Sequence, residues 1–286
     1  MTEHRLLLCT DMDRTVIPNG PQPEHPEARK RFAAFCRRPD VTLAYVTGRH
    51  RALVRDAIRE YALPEPDFAI TDVGTVIYRV TDGTWEAWDA WAEEISRAWN
   101  GKTHADIVAL LGDLPHLTLQ EPDKQNTHKV SFYLSASAHP DDIMARMQER
   151  LAREGVEAGL IWSVDESEDV GLLDVLPRDA TKRHAVEFLQ RELRYSPDEV
   201  VFAGDSGNDL PVMESVLPSV LVANASDAVK ERARVLAQRS DDPEAFYIAR
   251  GGVLNMNGNY CAGVLEGVWH FVPAFRDVLE ESEDAQ

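Results

Sequence analysis

Short apolar runs closed by polar turns recur along the chain and alternate with stretches of helical periodicity. Leu6 to Thr10 (LLLCT) runs directly into Asp11 and Asp13. Val41 to Val46 ends in Thr47-Gly48-Arg49, Phe68 to Thr71 ends in Asp72, and Val200 to Ala203 ends in Gly204-Asp205. Aliphatic runs of this length, bounded by turn residues, read as buried strands. Further strands are expected at Val76 to Val80 and Val220 to Val222. Helical spacing marks Glu27 to Arg37, with Phe32 and Phe35 on one side. It also marks His50 to Tyr61, with Leu53, Ala57 and Ile58 as the buried stripe, and Thr181 to Leu193, with Ala185, Phe188, Leu189 and Leu193 inward. Ala228 to Leu236 completes this series. The alternation of strand and helix predicts a parallel sheet covered on both faces.

The middle of the chain has another character. Trp85, Trp88, Trp91, Ile95 and Trp99 fall at helical spacing, which predicts a helix laying an aromatic face on a small core; a sugar-stacking platform is the alternative. Val130 to Leu134 and Leu160 to Val164 read as strands, and Ile107 to Leu111 and Ile143 to Arg153 as helices. Leu172 to Leu176 is expected to resume the first pattern as a core strand. The predicted layout is a doubly wound, Rossmann-like α/β core with a parallel sheet, residues 1–84 and 171–286, interrupted by an inserted α+β cap domain, residues 85–170. The acidic end, Glu280 to Asp284, is expected to fray.

Composition narrows the choices. The chain has 286 residues and a formal charge of −19. Such a surface repels phosphates, so nucleic acid and anionic membranes are excluded as expected partners. No run of 18 apolar residues exists to span a bilayer, and the first apolar stretch is too short for a signal peptide. Three scattered cysteines offer neither a disulfide framework nor zinc spacing, so a reducing cytoplasm is the expected location.

The candidate chemistry sits where strands end. Asp11 and Asp13, one residue apart, leave a buried strand at the edge where open α/β sheets bind ligands. Close carboxylates raise each other's pKa, and a divalent cation relieves the repulsion; oxygen-only donors suit Mg2+. Thr47 offers a hydroxyl and backbone N–H groups, and Gly48 allows close approach to an anion. Lys182 opens a helix, placing a cation beside the positive helix end. Gly204-Asp205-Ser206-Gly207-Asn208-Asp209 packs two acids and two glycines into one strand-to-helix turn. A metal-dependent glycosyltransferase would also use a DxD pair, but would leave Lys182 and GDSGND without a task.

Taken in this order, DMDRT, VTGR, Lys182 and GDSGND resemble the four motifs of the haloacid dehalogenase-like phosphohydrolases. ITDVGTVIY, HKVSFYL and GDSGNDLPVM are similar to the sucrose-phosphate phosphatase family, including its cap. Arg14 departs from the glycine or asparagine usual in the first motif, and Arg183 follows Lys182 where glycine is common. The resemblance implies a Mg2+-dependent phosphatase acting on a sugar phosphate. In that reading Asp11 is the nucleophile and Asp13 the proton carrier. Mg2+ is held by Asp11, the backbone carbonyl of Asp13, and Asp205. Lys182 and Thr47 hold the phosphate, with Gly48 and Arg49 beside them. Asp209 orients Lys182 or a metal-bound water, and Asn208 and Ser206 are second-line candidates, Asn208 for contact with the substrate. Asp72, His128 and Lys129 are expected to contact the sugar phosphate, with cap closure excluding water. Sucrose 6-phosphate is the first substrate expected, mannosylfructose phosphate or a glycosylglycerate phosphate the alternatives. A non-catalytic sugar-phosphate binding subunit is the other alternative. A synthase-like glycosyltransferase is the expected protein partner.

Overall fold

The computed structural model describes residues 4–135, 138–165, 170–239 and 242–284. The chain divides into two compact units, Met1–Ala87 with Lys182–Gln286, and Trp88–Thr181.

The first unit begins with β1 (Leu6–Thr10), α1 (Ala28–Cys36), β2 (Val41–Val46), α2 (Arg51–Glu60), β3 (Phe68–Thr71), β4 (Val76–Thr81) and β5 (Thr84–Ala87). The second contains α3 (Asp89–Ser96), α4 (His104–Leu111), β6 (Leu117–Leu119), β7 (Val130–Leu134), α5 (Pro140–Arg153), β8 (Ala158–Asp165) and β9 (Val170–Pro177). The first unit then continues through α6 (Lys182–Glu192), β10 (Val200–Gly204), α7 (Leu210–Met213), β11 (Ser219–Leu221), α8 (Asp227–Ala237), β12 (Phe246–Ile248), α9 (Cys261–Phe271) and α10 (Arg276–Asp284).

The first unit is built on an eight-stranded sheet in the order β12-β11-β10-β1-β2-β3-β4-β5. The strands from β12 to β3 run parallel, and β4 and β5 close one edge antiparallel. Every residue of β1 and of β10 is buried, as befits strands covered on both faces. Because β1 lies between β2 and β10, the loops that follow these three strands emerge side by side. Chain order reverses at β1, and open sheets of this kind take ligands at such a point, beyond the carboxyl ends of the strands.

The second unit carries a four-stranded antiparallel sheet, β6-β7-β9-β8. Leu172 to Leu176 therefore belongs to this small sheet rather than to the core, and the expected boundary at residue 170 falls too early. The burial of β9 alternates over Val170 to Val175, the mark of a strand covered on one face. An apolar run identifies a strand but not the sheet it joins.

Other expectations are corrected locally. The aromatic stripe is not one helix: Trp85 lies on β5 in the first unit, and α3 carries only Trp91 and Ile95, with Trp99 in the turn that follows. Leu53 is 42% exposed, and the buried positions of α2 are Val54 and Ala57. The backbone of Glu280 to Asp284 continues α10, whose Leu279 is buried.

Helix α9 (CAGVLEGVWHF) has no helical signature in sequence, because glycines interrupt it. Those glycines are spatially required. A Cβ on Gly267 would lie 2.4 Å from Val220 Cγ1, so only glycine lets the helix approach β11 this closely. Among the described residues, no helix is long and apolar enough to cross a membrane.

Candidate active site

Asp11 follows β1 directly, and its N–H donates to Ala203 C=O on β10 at 2.9 Å, which extends the strand pairing into the loop. Asp11 is 5% exposed. Lys182 arrives from the first turn of α6. The apolar face of that helix, Ala185, Val186, Phe188 and Leu189, is buried and draws the lysine inward with it. Lys182 Nζ stands 3.0 Å from Asp11 Oδ1 and 2.7 Å from Asp209 Oδ1. It also donates to Asn208 Oδ1 at 3.3 Å. A buried ammonium is tolerable only with such partners. Burial disfavours its charge, but the two carboxylates outweigh that effect and hold Lys182 above the ordinary lysine range. Burial likewise pushes Asp11 up to about 7, against the pull of Lys182.

The turn after β10 is shaped by Asp209. Its Oδ2 accepts from Asp205 N–H at 3.1 Å, Ser206 N–H at 3.0 Å and Ser206 Oγ at 3.1 Å. With Oδ1 on Lys182, both oxygens are fully engaged. Gly204 makes room: a Cβ there would lie 2.5 Å from Asp209 Cγ. Asp11, Asp205 and Asp209 thus form a buried acidic triad whose ligand atoms lie within 4.8 Å of one another. An oxygen-only set of this kind fits a hard divalent cation. Since Asp209 is saturated by protein donors, Asp11 and Asp205 are the carboxylates left to hold one. Burial first and Asp209 second raise Asp205 to about 6, while the Arg14 charge opposes them.

Asp13 is not part of this triad. Its carboxylate is forked by Arg49, with Nε to Oδ2 at 2.7 Å and Nη2 to Oδ1 at 2.6 Å. Asn19 Nδ2 adds a third bond at 2.8 Å. Burial pushes this carboxyl up, but Arg49 and Asn19 more than offset it, leaving Asp13 below the usual carboxylate range. Arg49, expected beside phosphate, is therefore spent on Asp13 here. The expected metal ligand of Asp13 is its backbone carbonyl, so the engagement of its carboxylate by Arg49 and Asn19 does not bear on that expectation.

Thr47 follows β2 and is buried, and its Oγ1 accepts from Arg49 N–H at 3.2 Å. Gly48 is exposed, with no atom within 4 Å of a Cβ built on it. Asp72 N–H donates to Arg49 C=O at 3.0 Å, tying the loop after β3 to the loop after β2. Asp72 (φ 52°), Val73 (φ 61°) and Gly74 (φ 93°) form a left-handed run, and a β-branched residue there is under strain. Asp11, Asp13, Thr47, Gly48, Arg49, Asp72, Lys182, Asn208 and Asp209 all lie at this one sheet edge. His128 and Lys129 belong to the second unit. The His128 ring meets Trp99 edge-on at 5.6 Å, and burial lowers its pKa; Lys129 is buried.

Sequence reasoning missed the scaffolding of this edge. Asn224 Nδ2 donates to Arg14 C=O at 2.6 Å, and Arg14 N–H to Asn19 Oδ1 at 2.8 Å. Arg14 Nε lies 3.2 Å from Asp205 Oδ2. No motif signals Asn19 or Asn224; only the unusual identity of Arg14 marks it in sequence.

The parallel sheet with its buried aspartate, lysine and acidic turn defines the haloacid dehalogenase-like hydrolase class. Comparison with known proteins takes this further. The family model for sucrose-6F-phosphate phosphohydrolase matches residues 4–272, and the chain belongs to that family. A Nitrosococcus oceani protein bearing a HAD-like hydrolase name is 46% identical over 284 residues, 99% of this chain and 76% of that protein. A mannosylfructose-phosphate phosphatase of Agrobacterium fabrum is 30% identical over 229 residues, 77% of this chain and 83% of its own. The crystal structure of a Synechocystis sucrose-phosphatase with sucrose and phosphate superposes with a TM-score of 0.69 at 27% identity, covering 94% of this chain and 98% of that one. The chain spans only 59–60% of the length of the plant sucrose-phosphatases it matches.

Proposed function

We propose that the chain is a Mg2+-dependent phosphatase that hydrolyses a disaccharide phosphate, sucrose 6-phosphate first, through an aspartyl-phosphate intermediate. The observation that carries this reading is the meeting of Lys182 with Asp11 at 3.0 Å and with Asp209 at 2.7 Å, at the rim where Asp205 also emerges. Family membership and the sucrose-phosphatase structure favour sucrose 6-phosphate. The Agrobacterium relative favours mannosylfructose phosphate as the second substrate to test.

Asp11 attacks phosphorus, so that an Asp11 Oδ–P bond forms as the bond from phosphorus to the sugar oxygen breaks. Asp13 is assigned the proton delivered to the departing sugar oxygen, a role that requires its carboxyl to leave the Arg49 fork, in which it stays ionised, and to take up a proton first. In the second step water attacks the aspartyl phosphate, Asp13 takes the water proton, and inorganic phosphate leaves Asp11 as a free carboxylate. Lys182 and the Thr47 hydroxyl hold the phosphoryl oxygens. Asp11, Asp205 and the backbone carbonyl of Asp13 would hold Mg2+, which neutralises the repulsion between a carboxylate and a phosphoryl group. His128 and Lys129 are assigned to the sugar.

Phosphate release from a panel of sugar phosphates, with and without Mg2+, tests the proposal. Turnover of a disaccharide phosphate that needs Mg2+ and disappears in Asp11→Asn is expected. Hydrolysis by Asp11→Asn at the wild-type rate overturns the assignment of the nucleophile. Sugar-phosphate binding without turnover in the wild type makes the chain a binding subunit instead. For the sugar contacts, Lys129→Ala is expected to raise KM for the disaccharide phosphate but not for a small aryl phosphate.

A further inference from the structure

Arg14 occupies an unusual place. Its backbone is held in the left-handed region at φ 57°, where a long side chain has no intrinsic reason to sit. Two side chains fix that backbone, Asn19 accepting from its N–H and Asn224 donating to its C=O. The guanidinium is held far less firmly. Nη2 reaches Asn224 C=O only at 3.5 Å. Nε is buried and lies 3.2 Å from Asp205 Oδ2, yet it makes no hydrogen bond to any acceptor. The contact with Asp205 is therefore one of charge at short range, without the directed bond that would lock it. Asp205, 5% exposed and close to Asp11 and Asp209, needs a counter-charge, and Lys182 is already bonded to the other two acids.

We propose that Arg14 is the displaceable counter-ion of Asp205 and that its charge sets how tightly the acidic triad takes up a divalent cation. The inference rests on the metal reading made above. In the metal-free protein the guanidinium partly neutralises Asp205; an incoming cation has to compete with it. A neutral residue at position 14 leaves the carboxylate more available to the cation and less comfortable without it. Once displaced toward solvent, where its side chain is already 41% exposed, the guanidinium opposes the divalent ion through screening water at about 5 Å, roughly a three- to tenfold factor in affinity.

Calorimetric titration of the metal-depleted full chain with MgCl2 tests this, using Arg14→Lys and Arg14→Gln. Both variants meet the same left-handed backbone, so they differ mainly in charge. Arg14→Gln is expected to bind Mg2+ about three- to tenfold more tightly than wild type, and to melt at lower temperature in chelator. Arg14→Lys is expected to stay close to wild type in both. Equal or weaker Mg2+ binding by Arg14→Gln overturns the inference, as do two variants that shift together. A wild-type chain that takes up no Mg2+ and hydrolyses without it overturns the metal reading, and this inference with it.

Discussion

Lys182 Nζ lies 2.7 Å from Asp209 Oδ1, both groups are buried, and the other oxygen of Asp209 accepts from two N–H groups and a hydroxyl of the same turn. Asp209 thus does two things at once: it anchors the lysine and it folds the loop that presents Asp205. Removing it leaves the buried ammonium with Asp11 as its one charged partner and deprives the Asp205 and Ser206 N–H groups of their acceptor. Asp209→Ala is expected to cost roughly 3–5 kcal/mol in denaturant unfolding, as for other broken buried pairs. A loss below about 1 kcal/mol, within the range of a surface pair, counts against this dual role.

Gly204 is the spatial counterpart of that carboxylate. Its Cβ position lies 2.5 Å from Asp209 Cγ and 2.6 Å from Oδ2, so a methyl group there forces either the carboxylate or β10 to move. Gly204→Ala is expected to lose about 1–3 kcal/mol, the usual scale of overpacking, and to weaken Mg2+ binding because Asp205 shifts with the turn. Unchanged denaturation midpoint and Mg2+ affinity in this variant contradict the argument.

The sheet edge was readable because its strands announce themselves. LLLCT and VVFAG are buried on both faces and run straight into acids, so Asp11 and Asp205 could be placed on one rim before any geometry was known. Pairings between loops could not be read in the same way. Arg49 beside Thr47-Gly48 suggests an anion, yet its guanidinium forks Asp13, a choice made by the adjacency of β1 and β2. Helix α9 stayed hidden because Gly263 and Gly267, poor helix formers, are there to fit against the sheet. β9 reads in sequence as a core strand but joins the small sheet, because apolar pattern carries no partner information and its neighbours β7 and β8 are set by tertiary pairing.

The Asp13–Arg49 fork predicts a pH signature. Asp13 titrates below the usual carboxylate range in the folded chain, so the pair stabilises the fold above the pKa of the unfolded carboxyl, about 3.9. That contribution is lost as pH falls through the lower, folded value. Arg49→Ala removes it, so the stability gap between wild type and variant should be widest near neutrality and should close on acidification. Carboxyl-carbon NMR of the metal-free chain should show the Asp13 resonance titrating at higher pH in Arg49→Ala. An Asp13 titration that does not move means the fork has no hold on its proton.

Asp11 and Asp205 have the opposite sign. Burial raises Asp11 to about 7 and Asp205 to about 6, both above the unfolded carboxyl value. In the metal-free chain the folded state therefore binds more protons than the unfolded state, and these two sites subtract stability as pH rises from about 4 through 7. A divalent cation needs both groups ionised, so its uptake expels their protons and its affinity falls on acidification. Mg2+ should accordingly raise the melting temperature strongly near pH 8, where the unpaired charges are most costly, and weakly near pH 5, where protons occupy the site. Titration at about pH 6.5 in buffers of different ionisation enthalpy should register net proton release. A melting-temperature gain of equal size at both pH values, or Mg2+ uptake without proton release, means that the cation binds elsewhere than on Asp11 and Asp205.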